Sequence, residues 1–504
     1  MGIGLKSILR RWGERRRLRE IYPLMVIHLY SLSTASPSSR DIMKMAGRSS
    51  LALSDASKIF SKISILVERW HYTLHKAVRY VASQVSEERV KKFLQRLSDS
   101  VNVNMDLRDF MKVEYEKMMA NKVAEFDRAI ERVKRLIEAY SAIMTSSIFL
   151  SVSMLLTSMI YGIDVNRILV MTIIAVMASL TSIAFFTSRS LPRDPILHDD
   201  PRKPEKLASI ERMNLIVLVA SLSSIPPLIL SPMRSSFFLD PISAPMILAG
   251  APLLMVGWVG KRWVKKAGEM DENYAAFVKS LGDALEVSGS LRSACKVVSI
   301  NDYGPLNKLL KRLSKRLELG FERGKAVEMF GVESLSNLIL STCRIEADSL
   351  RYGSRQAITS KAIHDYILSH LANRKKRSQV AGAIRGLALP LQAIFSAISA
   401  LISVLTKILS EFAKLIHTWF PVITPISENM TAAFFSALML AMAVASSYMI
   451  YSIEGDSKFT FTYQLGILLT ISGVVHHLAL LASMKLLNLA SGFMGGMEEI
   501  VEGI

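Results

Sequence analysis

Cysteine is almost absent from this chain, since Cys295 and Cys343 are its only two. Two thiols cannot form a disulfide framework, and their separation matches no zinc-binding spacing, so the disulfide-rich and zinc-finger classes are excluded. The protease pattern H-E-x-x-H and the hydrolase pattern G-x-S-x-G are also missing. We therefore predict no catalytic residue, no metal site and no cofactor, and we expect both thiols to stay reduced.

A complete phosphate-binding loop is missing as well. The nearest segment has three residues between Gly320 and Gly324 where the loop needs four, and Ala326 replaces the Ser or Thr that would hold magnesium. We interpret residues 320–326 as a turn between two helices. The sequence is thus not predicted to be an enzyme.

Acidic residues are scarce in two long regions that are rich in basic ones. Residues 1–142 contain 27 Lys and Arg against 16 Asp and Glu, and residues 261–385 contain 23 against 13. The whole chain has a net charge of +19, yet half of its residues are hydrophobic. Such segregation is typical of a membrane protein whose basic domains stay on the cytoplasmic side.

Seven stretches are apolar over about 20 residues, the length that a membrane-spanning helix needs. They are residues 142–161, 169–187, 213–230, 241–259, 384–409, 431–452 and 461–482. An eighth stretch, 412–426, contains Lys414, His417, Pro421 and Pro425. We interpret this stretch as an interfacial or re-entrant segment.

The distribution of Lys and Arg between the spans predicts a cytoplasmic N-terminus. The basic start has no apolar signal-peptide region behind it, and the basic loop 188–212 then falls inside. The hairpin 162–168, the loop 231–240 and the acidic tail 487–504 fall outside, where we expect Asp164 and Asp240 to be solvated. The predicted order is a basic domain 1–141, four spans 142–260, a second basic domain 261–384, three spans 385–486 and the tail.

Both basic domains have the pattern of amphipathic helices. Apolar residues recur at steps of three and four, and Ser86 is predicted to cap the helix that follows it. We therefore predict an all-α polytopic membrane protein with two cytoplasmic helix bundles, each followed by spans.

The two basic domains also resemble each other. Residues 25–40 match residues 277–292 at an offset of 252, and residues 94–97 match residues 310–313 at an offset of 216. Two matches in the same order predict a duplicated unit, with a shorter connection in the second copy.

This arrangement resembles the type II secretion F-domain family, and most of all its archaeal branch, the type IV pilus and archaellum platform proteins. Three segments of the second domain are similar to the family's pattern: 281–285, 288–291 and 313–321. In the first domain the similarity is in Tyr22-Pro23-Leu24 and in the series Trp70, Leu94, Glu114 and Tyr140. The first copy departs from the pattern, because Pro37 stands at the opening glycine and Asn104 at the midpoint glycine.

The resemblance implies a non-enzymatic scaffold in the cell membrane, forming a homo-oligomer. It implies a hexameric cytosolic secretion ATPase and pilin or archaellin subunits as partners. A transporter or channel subunit is the alternative, since duplication followed by spans also builds transporters. A membrane-bound scaffold that binds lipid through its basic domains is a third interpretation.

The basic clusters are the main candidate docking residues, and the alternatives for them are solvated charge, an acidic protein surface or anionic lipid. Candidates for the ATPase are Lys308, Lys311, Arg312, Lys315 and Arg316, of which the first four share one helical face, together with Lys91, Lys92, Arg132, Lys134 and Arg135. Candidates for lipid headgroups are Lys261, Arg262, Lys265, Lys266, Arg374, Lys375, Lys376 and Arg377. Nucleic acid is not expected, because the clusters lack interleaved aromatic residues.

Two adjacent histidines, His476 and His477, fall in the middle of the seventh predicted span. Ionisable groups at that depth are expensive and often functional. The alternatives are packing in the bundle with a hydrogen-bond partner, or a role in a proton or subunit path.

Overall fold

The computed structural model describes residues 2–35, 37–49, 55–161, 165–230, 240–416 and 428–502. These residues form sixteen α-helices, one short 3-10 turn at Gly304–Leu306 and no strand. The first eight helices are α1 Gly2–Ser33, α2 Ser39–Gly47, α3 Asp55–Glu68, α4 Leu74–Gln84, α5 Glu88–Asn102, α6 Leu107–Tyr161, α7 Val165–Ser190 and α8 Glu205–Leu230. The other eight are α9 Ser243–Ser288, α10 Leu291–Val298, α11 Asn307–Glu318, α12 Arg323–Glu333, α13 Asn337–Tyr352, α14 Gln356–Ile416, α15 Glu428–Glu454 and α16 Lys458–Glu502.

The chain divides into two compact units. The basic unit consists of Met1–Arg128, Pro195–Lys203 and Val264–Lys375. The membrane unit consists of Ala129–Asp194, Pro204–Trp263 and Lys376–Ile504. Both helix bundles that the sequence predicts therefore contribute to a single compact unit, together with part of the loop between α7 and α8.

Seven described helices are long and apolar enough to cross a membrane, at the seven places that hydropathy predicts. They are α6, α7, α8, α9, α14, α15 and α16. The predicted fold class, an all-α polytopic membrane protein, is thereby confirmed. Most of the weak stretch 412–426 lies outside the described residues. Asp164 also lies outside them.

The duplication is visible in the order and spacing of the helices. The five helices α10 to α14 begin 252, 252, 249, 249 and 249 residues after α2 to α6 respectively. We call α1–α5 with the part of α6 in the basic unit the first copy, and α10–α13 with the parts of α9 and α14 in the basic unit the second copy. The sequence match between residues 94–97 and 310–313 is wrong, because it pairs the fourth short helix of one copy with the second short helix of the other.

Turn geometry supports the same alignment. His71 and Asn104 have positive φ angles of 54° and 53°, and the residues 249 positions later are Gly320 and Gly353, with φ of 81° and 72°. Asn104 is therefore the equivalent of Gly353 rather than of the midpoint glycine, Gly320. Glu87, and not Ser86 as predicted, caps α5 by accepting a bond from Val90 N at 2.8 Å. Its equivalent is Ser336, which caps α13.

A buried polar seam joins the two copies in the basic unit. His28 Nε2 on α1 lies 3.1 Å from Asp348 Oδ2 on α13, and both side chains are buried. One turn further along α1, the hydroxyl oxygens of Ser31 and Thr359 are 2.8 Å apart. Arg355 N donates to Thr34 Oγ1 at 3.0 Å. The two copies are thus joined by a common core as well as by the chain that runs between them.

This shared core constrains the topology. Four of the seven spans, in α6 to α9, lie between the two copies. An even number of crossings returns the chain to its starting side, which two bundles in one unit require. The apolar half of α9 supplies the fourth crossing.

Glycines allow α9 and α16 to pack closely in the membrane unit. A Cβ atom added to Gly257 would lie 2.6 Å from Tyr463 Cα, and one added to Gly250 would lie 2.6 Å from Thr470 Oγ1. From the other helix, a Cβ on Gly473 would lie 2.8 Å from Ser243 O. Small residues at such contacts let helix backbones approach, which is a main source of helix association in lipid.

The close contact predicts opposite effects of alanine at two glycines of α9. Gly257→Ala should lower stability by about 1–3 kcal/mol, because backbone atoms of Tyr463 cannot move away freely. Gly268→Ala is the matched control, since its Cβ would meet nothing within 4 Å and alanine is favoured in a helix by about 0.5–1 kcal/mol. Thermal unfolding of the detergent-solubilised chain measures both. Equal midpoints for the two variants would contradict the proposed packing.

Candidate functional site

The basic stripe on α11 is exposed because the opposite face is buried. Leu309, Leu310, Leu313 and Leu317 point into the core. Lys308, Lys311, Arg312 and Lys315 are consequently exposed to solvent.

Only part of this stripe is available to a partner. Arg316 is half-buried and pairs with Glu333, and Arg312 Nη1 lies 3.7 Å from the same carboxylate. Within the described part of the chain, no carboxylate pairs with Lys308, Lys311 or Lys315. Three lysines thus form the free part of the predicted stripe, whereas Arg316 holds α11 to the end of α12.

The other predicted ATPase-binding residues are less distinctive. Lys92 is exposed and forms a 3.5 Å pair with Glu88 one turn earlier on α5, while Lys91 is half-buried. Lys134 on α6 pairs with Glu131 at 2.6 Å. Exposed ion pairs of this kind contribute little to folding stability, about 0–1 kcal/mol. Arg132 and Arg135 are exposed on the same segment of α6, in the membrane unit.

Two of the predicted lipid-binding arginines are turned into the protein. Arg374 pairs with the fully buried Asp271, which also accepts a bond from Ser336 Oγ. Arg377 is only 3% exposed and donates to the backbone oxygens of Pro192 and Glu454. Removing one partner of such a buried pair typically costs about 3–5 kcal/mol. These arginines therefore hold the fold together and are not placed to reach headgroups.

The remaining lipid candidates divide by exposure. Arg262, Lys265, Lys266 and Lys375 are exposed, and Lys376 is half-buried. Lys265 Nζ is 3.9 Å from Glu269. Lys261 is mostly buried and lies 3.6 Å from Glu454 Oε2. Arg262 is thus the exposed group nearest in sequence to the apolar half of α9.

Arginine and aromatic residues mark the ends of two apolar segments in the membrane unit. The Arg262 guanidinium lies 3.5 Å from the Trp258 ring centroid, and that of Arg189 lies 4.3 Å from Phe185. Both arginines follow their ring by one helical turn. Aromatic rings favour the headgroup level of a bilayer, with cationic groups just beyond it. The pairs therefore place the water boundary at the C-terminal end of α7 and after Trp258 of α9.

One carboxylate connects three helices at that level of the membrane unit. Glu454, the last residue of α15, pairs with Arg385 of α14 and with Lys261 of α9. Beside it, Asp194 N donates to Gly455 O at 3.0 Å. This Glu454 cluster was not predicted, because its members are far apart in the sequence.

The two histidines lie well inside the candidate span Lys458–Leu486 of α16, as the sequence predicts. His476 Nε2 is 3.3 Å and His477 Nδ1 is 3.1 Å from the carboxylate of Asp240. Asp240 also accepts a bond from Ser243 N at 3.1 Å and so caps α9. The expectation that Asp240 is solvated was therefore wrong, since its side chain is 9% exposed.

A polar contact line continues from His476 into the membrane unit. Its Nδ1 atom lies 2.8 Å from Ser399 Oγ of α14. Deeper in the unit, Gln392 donates to Ser472 Oγ at 2.8 Å and to Met439 O at 3.1 Å. His476 therefore has polar partners on both ring nitrogens, which favours the alternative in which it packs inside the bundle. Among the described residues, no group of three or more His, Cys, Asp or Glu side chains could hold a metal ion.

Glu346 is an unusual core residue of the basic unit. It is 4% exposed, and neither carboxylate oxygen has a hydrogen-bond partner among the described residues. Burial raises its pKa from 4.5 to about 8. The equivalent residue of the first copy, 249 positions earlier, is Leu97, which is fully buried. An ionisable side chain therefore occupies a position that packing alone would fill with leucine.

The stability of the basic unit should consequently depend on pH through Glu346. Because the folded-state pKa is raised, this group's contribution is complete below pH 4.5 and is lost as pH rises toward 8. Glu346→Leu should abolish this dependence and raise stability at pH 8 by a few kcal/mol, at roughly 1.4 kcal/mol per pKa unit.

Unfolding midpoints of the full-length chain at pH 5 and pH 8 test the prediction. Leu97→Glu is the converse variant, which should introduce a loss of stability that grows with pH. A Glu346→Leu midpoint that follows wild type at both pH values would contradict the assignment.

The chain is similar over nearly its whole length to two curated proteins, both named Flagella accessory protein J. It is 23% identical over 491 residues to the protein from Methanocaldococcus jannaschii, covering 95% of this chain and 87% of that protein. It is 21% identical over 467 residues to the protein from Methanococcus voltae, covering 88% and 81%. No protein-family model matches the chain, and no solved structure matches it significantly.

Proposed function

We propose that this chain is the membrane platform protein of an archaellum or a related type IV pilus-like machine. It would couple a hexameric cytosolic ATPase to the insertion of pilin or archaellin subunits into a filament. The observation that carries the proposal is the similarity to two flagella accessory proteins over 95% and 88% of this chain. The duplicated bundle followed by spans, on which the resemblance to platform proteins rests, supports it.

In this proposal the N-terminus and the whole basic unit are cytoplasmic. The support is the charge of the loops and the position of the segment Pro195–Lys203, which belongs to the basic unit. His198 Nε2 lies 2.8 Å from Val332 O, and Asn337 N donates to Ile196 O at 2.8 Å. The basic loop and both copies thus lie on one side, and the excess of Lys and Arg there favours the cytoplasm.

The docking surface for the ATPase would include the three lysines without an acidic partner on α11. Their charge favours an acidic protein surface and speeds association at low salt. Arg262, Lys265 and Lys375 would contact anionic headgroups, where each basic residue contributes about 1 kcal/mol. Three helices, α6, α9 and α14, contain residues of both units without a break. They are the continuous elements through which the ATPase could act on the spans.

Charge reversal on the full-length chain tests the docking surface. Lys308, Lys311 and Lys315 are changed together to Glu, and binding to the ATPase of the same organism is measured at low and high salt. We expect salt-sensitive binding that weakens at least tenfold in this variant. The matched control changes Lys62, Lys112 and Lys117, exposed on the first copy, and should bind like wild type. The full chain is needed because the second copy shares its core with the first.

Two outcomes would contradict the proposal at different levels. Binding that survives reversal of the α11 lysines would place the interface elsewhere and leave the platform function intact. A gene deletion that leaves filaments unchanged, together with no binding of wild type to the ATPase, would exclude the platform function. Solute uptake dependent on an ion gradient would then favour the transporter alternative.

A further inference from the structure

Three large side chains of the first copy are exposed at the turn between α3 and α4 and on α4 itself. Trp70 is 69% exposed, and Tyr72 and Tyr80 are 42% and 51% exposed. The two tyrosine rings are 6.5 Å apart between centroids. Between Trp70 and Tyr72 stands His71 with its positive φ, an uncommon conformation for a residue other than glycine. We call Trp70, Tyr72 and Tyr80 the first patch.

The second copy exposes apolar side chains at the same three positions. The residues 249 positions later are Leu319, Phe321 and Met329, which are 68%, 47% and 40% exposed. Leu319 and Phe321 flank Gly320, the equivalent of His71, whose φ is 81°, and Met329 lies on α12. We call Leu319, Phe321 and Met329 the second patch.

The two patches also have equivalent surroundings. In the first copy, Ser98 Oγ donates to His75 O at 2.9 Å, which fixes the start of α4 beside α5. In the second copy, a Cβ on Gly324 would lie 3.3 Å from Ala347 O. Gly324 and Ala347 are the equivalents of His75 and Ser98 at the offset of 249. Each patch thus lies where the fourth short helix of its copy meets the start of the third.

Packing does not explain why these positions are apolar in both copies. Buried positions stay apolar because each copy needs a core, but the side chains of the patches contribute little to one. Single exposed apolar residues are ordinary on a protein surface and need no explanation. A cluster of three that is repeated at equivalent positions is a different observation, and exposed apolar clusters commonly mark interaction sites.

A lysine is repeated beside each patch, and the one beside the second patch pairs with Glu322 at 3.2 Å. Lys76 on α4 and Lys325 on α12 occupy equivalent positions, and both are exposed. Trp and Tyr anchors that enter a pocket, with charged residues around them, are typical of the centre of a protein interface. A matching pocket would therefore be apolar inside.

We propose that the two patches are equivalent docking sites, each inserting into an apolar pocket on one subunit of a homo-oligomeric cytosolic protein. Two similar patches on one chain fit a partner that presents the same pocket more than once, as a symmetric oligomer does. The proposal rests on the proposed function, under which that partner is the assembly ATPase. Binding through two linked sites would gain affinity because the second contact is intramolecular.

Serine substitutions in the full-length chain test the proposal. One variant changes Trp70, Tyr72 and Tyr80, a second changes Leu319, Phe321 and Met329, and a third combines them. The probe is the purified oligomeric ATPase of the same organism, binding to the chain in nanodiscs. We expect each single-patch variant to weaken binding about 100-fold by loss of avidity, and the combined variant to lose it.

The control variant changes Val287 and Ile300 to Ser. These residues are 92% and 83% exposed, and their equivalents in the first copy are Ala35 and Arg48. The control removes exposed apolar surface that the duplication does not repeat, so its binding should equal that of wild type. Unchanged unfolding midpoints for all variants confirm that the exposed substitutions leave the fold intact.

Filament formation separates failure of the docking sites from failure of the platform function. If deletion of the gene abolishes filaments and the combined variant neither binds the ATPase nor restores them, the docking sites are supported. If the combined variant binds and restores filaments like wild type, the docking sites are excluded and the platform function stands. Wild type that restores filaments without binding the ATPase would also exclude the docking sites. Filaments that persist after deletion would exclude both.

Discussion

The buried contact of α1 with α13 and α14 is the constraint on which the rest of the structure depends. His28 and Asp348 are 320 residues apart and meet with both side chains buried, so removing His28 would take a polar partner from the buried carboxylate of Asp348. Because this seam joins the two copies, both must lie on one side of the membrane. Three spans follow each copy, and an odd number would separate them. The apolar half of α9 supplies the fourth crossing and makes the shared core possible.

The two copies share a fold but have different side chains at equivalent positions. The core helix α5 of the first copy buries Leu97, while its equivalent α13 buries Glu346 and also carries Asp348 into the seam. The stripe on α11 retains three free lysines, and the long helices of both copies continue into spans. What the copies keep in common on their surfaces is the exposed apolar turn before α4 and α12. The copies thus differ both in the shared core and on the surface, whereas the repeated apolar positions face outward.

Hydropathy and helical periodicity predict the seven spans and the helical bundles, because both depend on residues close together in the sequence. The sequence predicts that the chain is duplicated, but only part of the alignment between the two copies. The correct offset is set by helix order and by left-handed turns such as Asn104 and Gly353, whereas a short similar stretch at residues 310–313 gives a false register. Contacts between residues that are far apart in the sequence cannot be predicted from hydropathy or periodicity. Arg374 and Arg377 have the sequence pattern of a lipid-binding cluster. In the structure, however, Arg374 pairs with a buried carboxylate and Arg377 donates to two backbone carbonyls. Asp240 looks solvated until α16 brings two histidines to it.

Cross-linking of the seam tests the central claim, that the two copies form one unit on one side of the membrane. The hydroxyl oxygens of Ser31 and Thr359 are 2.8 Å apart, so cysteines at these positions would be close to bonding distance. In a chain whose Cys295 and Cys343 have been replaced by Ala, Ser31→Cys with Thr359→Cys should form an intramolecular disulfide under mild oxidation in native membranes. Each single variant should not. Failure of the pair to cross-link, or labelling of the two cysteines from opposite sides of the membrane, would contradict the account.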